Sequence, residues 1–151
     1  MNKNTEQRIT LKNKLKNREK MFAGWVSYSH PSITETFALA GFDFIAIDME
    51  HSTISTEQAQ RIIAASQAHG VPCLPRAVSH SNDWIKPLLE SGADGMLIQM
   101  VNNKEEIEEK FEIVQNEFKD IGEKEQKLTQ EERRQLRLIA ECELEIEKND
   151  E

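Results

Sequence analysis

The sequence predicts an α/β fold, a parallel sheet with helical crossovers followed by an acidic helical tail, and three observations carry that reading. Between residues 20 and 103, short β-rich apolar runs alternate with longer segments of helical periodicity. A glycine stands at each return from helix to strand, in Ala40-Gly41, His69-Gly70 and Ser91-Gly92, where the backbone must turn left-handed. The composition then changes near Asn103. Residues 1–103 hold 10 Lys/Arg and 10 Asp/Glu, a net of 0, whereas residues 104–151 hold 9 and 17, which is the whole of the chain's net −8.

The elements follow in order. Strands are expected over residues 21–28, 42–48, 72–78 and 95–101. The third is the weakest, because Pro72 and Pro75 cannot donate to a ladder. Helices are expected over 32–40, 56–69 and 82–91, with Ser32 ahead of Glu35 and Thr53 ahead of Thr56-Glu57 supplying acceptors for orphan N–H groups. The unbroken run Phe44-Ile45-Ala46-Ile47 reads as a strand buried on both faces. This pattern fits a (β/α) barrel or an open doubly wound sheet, and periodicity does not separate the two. After Lys104 no strand signal and no proline appear. Ile107, Phe111, Val114, Phe118 and Ile121 form one helical stripe that Gly122 ends or bends. Thr129-Gln130-Glu131-Glu132 then reads as a capping box opening a second helix, with Leu136, Ile139, Cys142 and Ile146 on one face. The tail's charges read as a solvated face, with a partner-binding coiled coil as the alternative.

Several function classes are set aside by composition. The acidic balance argues against nucleic acid and against an anionic membrane surface as partners. No apolar run approaches the ~20 residues of a bilayer span, and residues 1–20 have no apolar signal core, so a cytoplasmic protein is expected. Cys73 and Cys142 stand alone, without metal or disulfide spacing, and read as small buried apolar residues.

In a parallel α/β sheet, ligands bind beyond the carboxyl ends of the strands. Here those ends are polar: Asp48-Met49-Glu50-His51 after the second, Arg76 in the third, and Ser27-Tyr28-Ser29-His30 after the first. A histidine beside a carboxylate suits a general base, and the Arg76 fork could hold a carboxylate or a developing enolate oxygen. The structural alternative is a polar loop of Asp48, Glu50 and His51 capping the second helix, with Arg76 paired to one of the acids. His69 and His80 are given no chemical role, and Gly92 and Gly95 are read as turn and close-packing residues.

Taken together, Gly24-Trp25, Pro31 with Glu35, Ala40-Gly41-Phe42-Asp43, Ile47-Asp48-Met49-Glu50-His51, Arg76 and Leu89-Glu90-Ser91-Gly92-Ala93-Asp94-Gly95 resemble the HpcH/HpaI family of class II pyruvate-dependent aldolases. The resemblance covers residues 8–113, about the first half of that family's barrel. It implies a partial (β/α)8 TIM barrel of about four β/α units over residues 1–113 and a charged helical extension over 114–151. It implies cleavage of 4-hydroxy-2-oxo acids to pyruvate and an aldehyde, with a small 2-oxo acid as substrate and Mg²⁺ or Mn²⁺ as cofactor. By the same resemblance His51 is the base-side histidine, Arg76 stabilises the enolate, and Glu90 is the acid that raises the basicity of His51. Asp48 is expected to converge with these three. Three departures are visible: the acid's place is usually an aspartate, so Glu90 sets its carboxylate one methylene further out; the family's Pro-Met at the end of strand four reads Gln99-Met100; and no segment of 114–151 aligns with the strands that bring the metal's Glu and Asp. The chain is therefore expected to be incomplete as an aldolase, to oligomerise or to be completed by another chain. The alternative is a catalytically inactive truncated or fused fragment acting as an interaction protein through its acidic tail.

Overall fold

The computed structural model describes residues 3–79, 81–121 and 123. The chain divides into two compact units, Met1–Gln115 and Asn116–Glu151. The first contains α1 (Lys3–Lys16), β1 (Ala23–Val26), α2 (Pro31–Leu39), β2 (Phe44–Asp48), α3 (Thr56–Ala68), β3 (Cys73–Arg76) and α4 (Asn82–Glu90). Helical backbone also runs over residues 104–121. His80, Gly122 and the second tail helix expected from Thr129 lie outside the described residues.

The three strands are parallel, in the order β1-β2-β3, and Leu97 adds a single parallel bridge to Arg76 at the position of a fourth. Each strand lies beside its predecessor with no reversal. That is how the wall of a (β/α) barrel winds, whereas a doubly wound sheet reverses direction beside its first strand. The helices keep to one face: α2 packs on β1 and β2, α3 on β2 and β3, and the three crossover helices touch in sequence. The register sets Gly24, Ile45 and Cys73 side by side, then Val26, Ile47 and Pro75, all buried and facing the helices. Ile62, Ile63, Ile85 and Leu88 close the layer from α3 and α4. The opposite face carries Trp25, Ala46 and Leu74 in one row.

The proline in β3 explains why the fourth strand amounts to one bridge. Pro75 offers its carbonyl to Leu97 N at 2.9 Å, so its missing N–H faces that same edge, where a full ladder would need a donor. Between β2 and β3 the bonds come from the alternate residues and are intact, with Ile45 N donating to Pro72 O at 2.8 Å and Met49 N to Arg76 O at 3.3 Å.

The helix ends show where local expectation held and where it slipped. Gly41, Gly70 and Gly92 have φ of +85°, +75° and +93°, as the helix-to-strand turns require. The N-caps differ. His30, not Ser32, caps α2, its Nδ1 accepting from Ser32 N at 3.2 Å with Pro31 in the first turn. Ser55, not Thr53, caps α3 through a reciprocal box with Gln58.

Helix α1 was not read in the sequence because it carries almost no apolar stripe; Leu11 is buried while Ile9 and Leu15 are exposed. Charge holds it instead. Arg8 pairs with Asp94, whose carboxylate also accepts from Cys73 N at 2.8 Å and Gln67 Nε2 at 3.1 Å. Lys14 pairs with Asp43 at 2.6 Å, and Asp43 also accepts from Phe22 N at 2.8 Å. Both acids lie where the strands begin, so α1 is clamped across the amino-terminal end of the sheet.

Two predictions follow from this packing. A Cβ on Gly24 would lie 2.9 Å from Phe37 Cβ, so Gly24→Ala must push α2 off the sheet and lower the unfolding free energy by about 1–3 kcal/mol in urea titrations. The Lys14 and Phe22 N hydrogen bonds hold the Asp43 carboxyl below its ordinary 3.8, and Asp43 holds Lys14 above 10.5. The Asp43 contribution is therefore complete above pH 3.8 and is lost as the pH falls through its depressed folded value; that of Lys14 is complete below 10.5 and is lost as the pH rises beyond it. The urea midpoint should drop below pH 3.8, and Asp43→Asn should drop less over that interval.

Candidate functional site

The carboxyl ends of β2 and β3 build the site. The register that pairs Ile47 with Pro75 pairs Asp48 with Arg76, so the last residues of the two strands share the face opposite the helices. Asp48 is almost fully buried and organises the turn that follows. Its Oδ1 accepts from His51 N at 3.1 Å and its Oδ2 from Trp25 Nε1 at 3.3 Å. Its carbonyl accepts from Ser52 Oγ, which in turn accepts from Ile54 N at 3.2 Å. The chain from 48 to 54 is thus wound tightly around one carboxylate, and this fixes where Glu50 and His51 emerge.

Arg76 is the centre of the cluster. Its Nη2 pairs with Glu50 Oε2, its Nη1 lies 3.7 Å from Asp48 Oδ1, and its Nε donates to Gln99 Oε1 at 2.7 Å. His51 Nε2 lies 3.3 Å from the same Glu50 oxygen, while the His51 side chain remains 66% exposed. The result is an imidazole, a carboxylate and a guanidinium, side by side at the open end of the sheet.

Of the residues expected to converge, Asp48, His51 and Arg76 do so, and Glu90 does not. Glu90 is the last residue of α4 and exposed. Four residues later Asp94 N donates to Cys73 O, the first residue of β3. A crossover helix runs back against its strands, so its end lies by their beginnings, about 10 Å of strand away from Arg76. Glu50 stands beside His51 instead. Part of the structural alternative also holds, since Arg76 is paired to both acids, although the cap of α3 comes from Ser55.

Sequence reasoning missed Gln99 as a member of the site. The available signal was parity: two residues beyond Leu97, it falls on the same face as Arg76. Tyr28 is exposed and His30 is engaged as a cap. Cys73 is wholly buried; burial and the nearby Asp94 push its thiol up, so it remains a protonated small hydrophobe. Cys142 lies outside the described residues.

A divalent ion does not fit what is described. Among the described residues no three His, Cys, Asp or Glu gather as a metal site, and Asp48 and Glu50 turn their oxygens toward Arg76, Trp25 and the His51 segment. No described helix is long and apolar enough to cross a membrane.

Comparison with known proteins places this arrangement. A hydroxypyruvate/pyruvate aldolase of Roseovarius nubinhibens is 33% identical over 103 residues, covering 64% of this chain and 38% of that protein. The crystal structure of the citrate synthase SbnG superposes with a TM-score of 0.57 at 31% identity, covering 66% of this chain and 40% of that one. An HpcH/HpaI aldolase from Desulfitobacterium hafniense gives a TM-score of 0.55 at 26% identity, over 60% and 36% of the two chains. This chain therefore spans about two-fifths of the length of such relatives. The family model for HpcH/HpaI aldolase/citrate lyase matches residues 22–145, well past residue 113 where the resemblance read from the sequence stops. On that match, and on strand ends that bring Asp48, His51 and Arg76 together, the chain belongs to the HpcH/HpaI aldolase/citrate lyase family.

Proposed function

We propose that the Arg76 cluster is the proton-transfer and oxyanion half of an aldolase site, acting on 4-hydroxy-2-oxo acids within a barrel of which this chain forms about the first four units. The observation that carries the reading is Glu50 Oε2 shared between Arg76 and the exposed His51. His51 takes the proton of the 4-hydroxyl. The C3–C4 bond then breaks, C4 leaves as the aldehyde, and the electron pair moves through C3 and C2 onto the 2-oxo oxygen. Arg76 Nη1 donates to that oxygen as its charge develops. The proton held on His51 returns to C3, giving pyruvate. Asp48 serves by shaping the turn that presents Glu50 and His51. Hydroxypyruvate/pyruvate aldolases among the relatives support a small 2-oxo acid as the substrate class. The remaining strands, and any divalent ion they bring, come from outside the described residues or from a second chain.

Pyruvate release from a 4-hydroxy-2-oxo acid, followed with a coupled dehydrogenase, tests the reading. Arg76→Ala should lower the rate by about 10²-fold or more and His51→Ala by about 10²–10⁴-fold. A wild-type chain that releases no pyruvate, with or without added Mn²⁺, would favour an inactive fragment. Glu50→Ala strands the guanidinium of Arg76, whose side chain is only 23% exposed, and should cost about 1–3 kcal/mol in chemical denaturation.

A further inference from the structure

We infer that Gln99 is a positioning residue for Arg76, setting the plane of its guanidinium through Nε and so deciding which nitrogen meets the substrate; the inference rests on the reading of Arg76 as the substrate-facing group. Gln99 lies in the segment that Leu97 N anchors to Pro75 O, and its side chain reaches the β3 end from the neighbouring strand position. Its amide is fixed at both ends. Nε2 donates to Ala77 O at 3.1 Å and Val78 O at 3.4 Å, while Oε1 accepts from Arg76 Nε at 2.7 Å. The reverse orientation is excluded by chemistry. It would set the amide NH₂ against the guanidinium, donor on donor, and the amide oxygen against two carbonyls, acceptor on acceptor.

The consequence for Arg76 is geometric. A guanidinium is planar with five N–H groups in a fixed fork, so fixing Nε on one side and Nη2 on another fixes the whole plane. Gln99 holds Nε by a hydrogen bond, and Glu50 holds Nη2 as an ion pair. Nη1, 3.7 Å from Asp48 and so beyond hydrogen-bond length, keeps its donors available. Gln99 never touches the reacting atoms in this account. It acts through Arg76, and through the 77–78 loop that it ties to the same strand ends.

Two variants separate these roles. Gln99→Leu removes both functions of the amide, whereas Gln99→Glu keeps an acceptor for Nε but cannot donate to Ala77 O or Val78 O. The primary readout is the Arg76 Nε–H resonance of the full chain in ¹H–¹⁵N NMR, assigned by its loss in Arg76→Lys; the second is the dissociation constant of pyruvate by titration. Gln99→Leu should lose the slow exchange of that resonance and weaken pyruvate about tenfold. Gln99→Glu should retain the resonance and recover most of the affinity. Should Gln99→Leu fail to fold, Gln99→Glu alone decides, because a protected Nε–H there requires an acceptor at position 99. If Gln99 served only the 77–78 loop, Gln99→Glu would behave like Gln99→Leu, and the inference falls. It falls equally if the Nε–H is unaltered in a folded Gln99→Leu. Wild-type protein that fails to bind pyruvate counts against the proposed function, while the exchange of Nε–H still decides for or against Gln99.

Discussion

The register between β2 and β3 is the constraint from which the site follows. It sets Asp48 opposite Arg76 on the face away from the helices. Side chains alternate along a strand, so a slip of one residue would turn Arg76 toward α3 and bury an unpaired guanidinium in an apolar layer. The register is held from the helix side, where Ile45, Ile47 and Cys73 are wholly buried, as are Ile62 and Ile63 of α3, the helix that packs on both strands. Apolar packing on one face thus determines which charged groups meet on the other. The site inherits its precision from a core that it does not touch.

Charge is used differently at the two ends of the sheet. At the amino-terminal end, Asp43 and Asp94 are each engaged by a cation from α1 and by backbone or amide donors. These pairs replace the apolar stripe that α1 lacks. At the carboxyl-terminal end, Arg76 faces two acids and an amide, and His51 is left largely exposed beside one of them. Matched charges at one end make a clamp, and partly matched charges at the other make a place where a polar ligand can enter.

How much of this was legible in the sequence depended on the range of the interaction. The strand runs, the glycine turns and the polar strand ends rest on spacing within a few residues, and they were read. Helix α1 was not, since Arg8–Asp94 and Lys14–Asp43 join positions 86 and 29 residues apart and leave no local pattern. The cap of α2 was misplaced by two residues because a histidine did what a serine does more often. Glu90 was drawn to His51 by resemblance to a family, whereas the crossover helix carries it to the opposite end of the strands. Glu50, adjacent to His51 in sequence, is legible there both as the carboxylate beside a histidine and as part of a capping loop. Gln99 was noticed only as a departure, because what it does depends on a parallel pairing that one proline reduces to a single bridge.

The pairing of Arg76 with two carboxylates bears on how an anionic substrate could bind. A guanidinium already satisfied on every nitrogen would have to surrender a strong bond to accept a ligand, and the exchange would yield little. Here the three contacts are unequal: Nη2 is in close contact with Glu50, Nε is at 2.7 Å from Gln99, and Nη1 is at 3.7 Å from Asp48. Asp48 is bound elsewhere, to Trp25 and to the backbone of His51, so it does not close that gap. On the proposed function, a substrate oxygen arriving at Nη1 would replace the weakest contact and leave the two that fix the plane. Desolvation of Arg76 is largely met during folding, and what binding must still supply is one directed hydrogen bond, in a geometry that β2, β3 and Gln99 have already set.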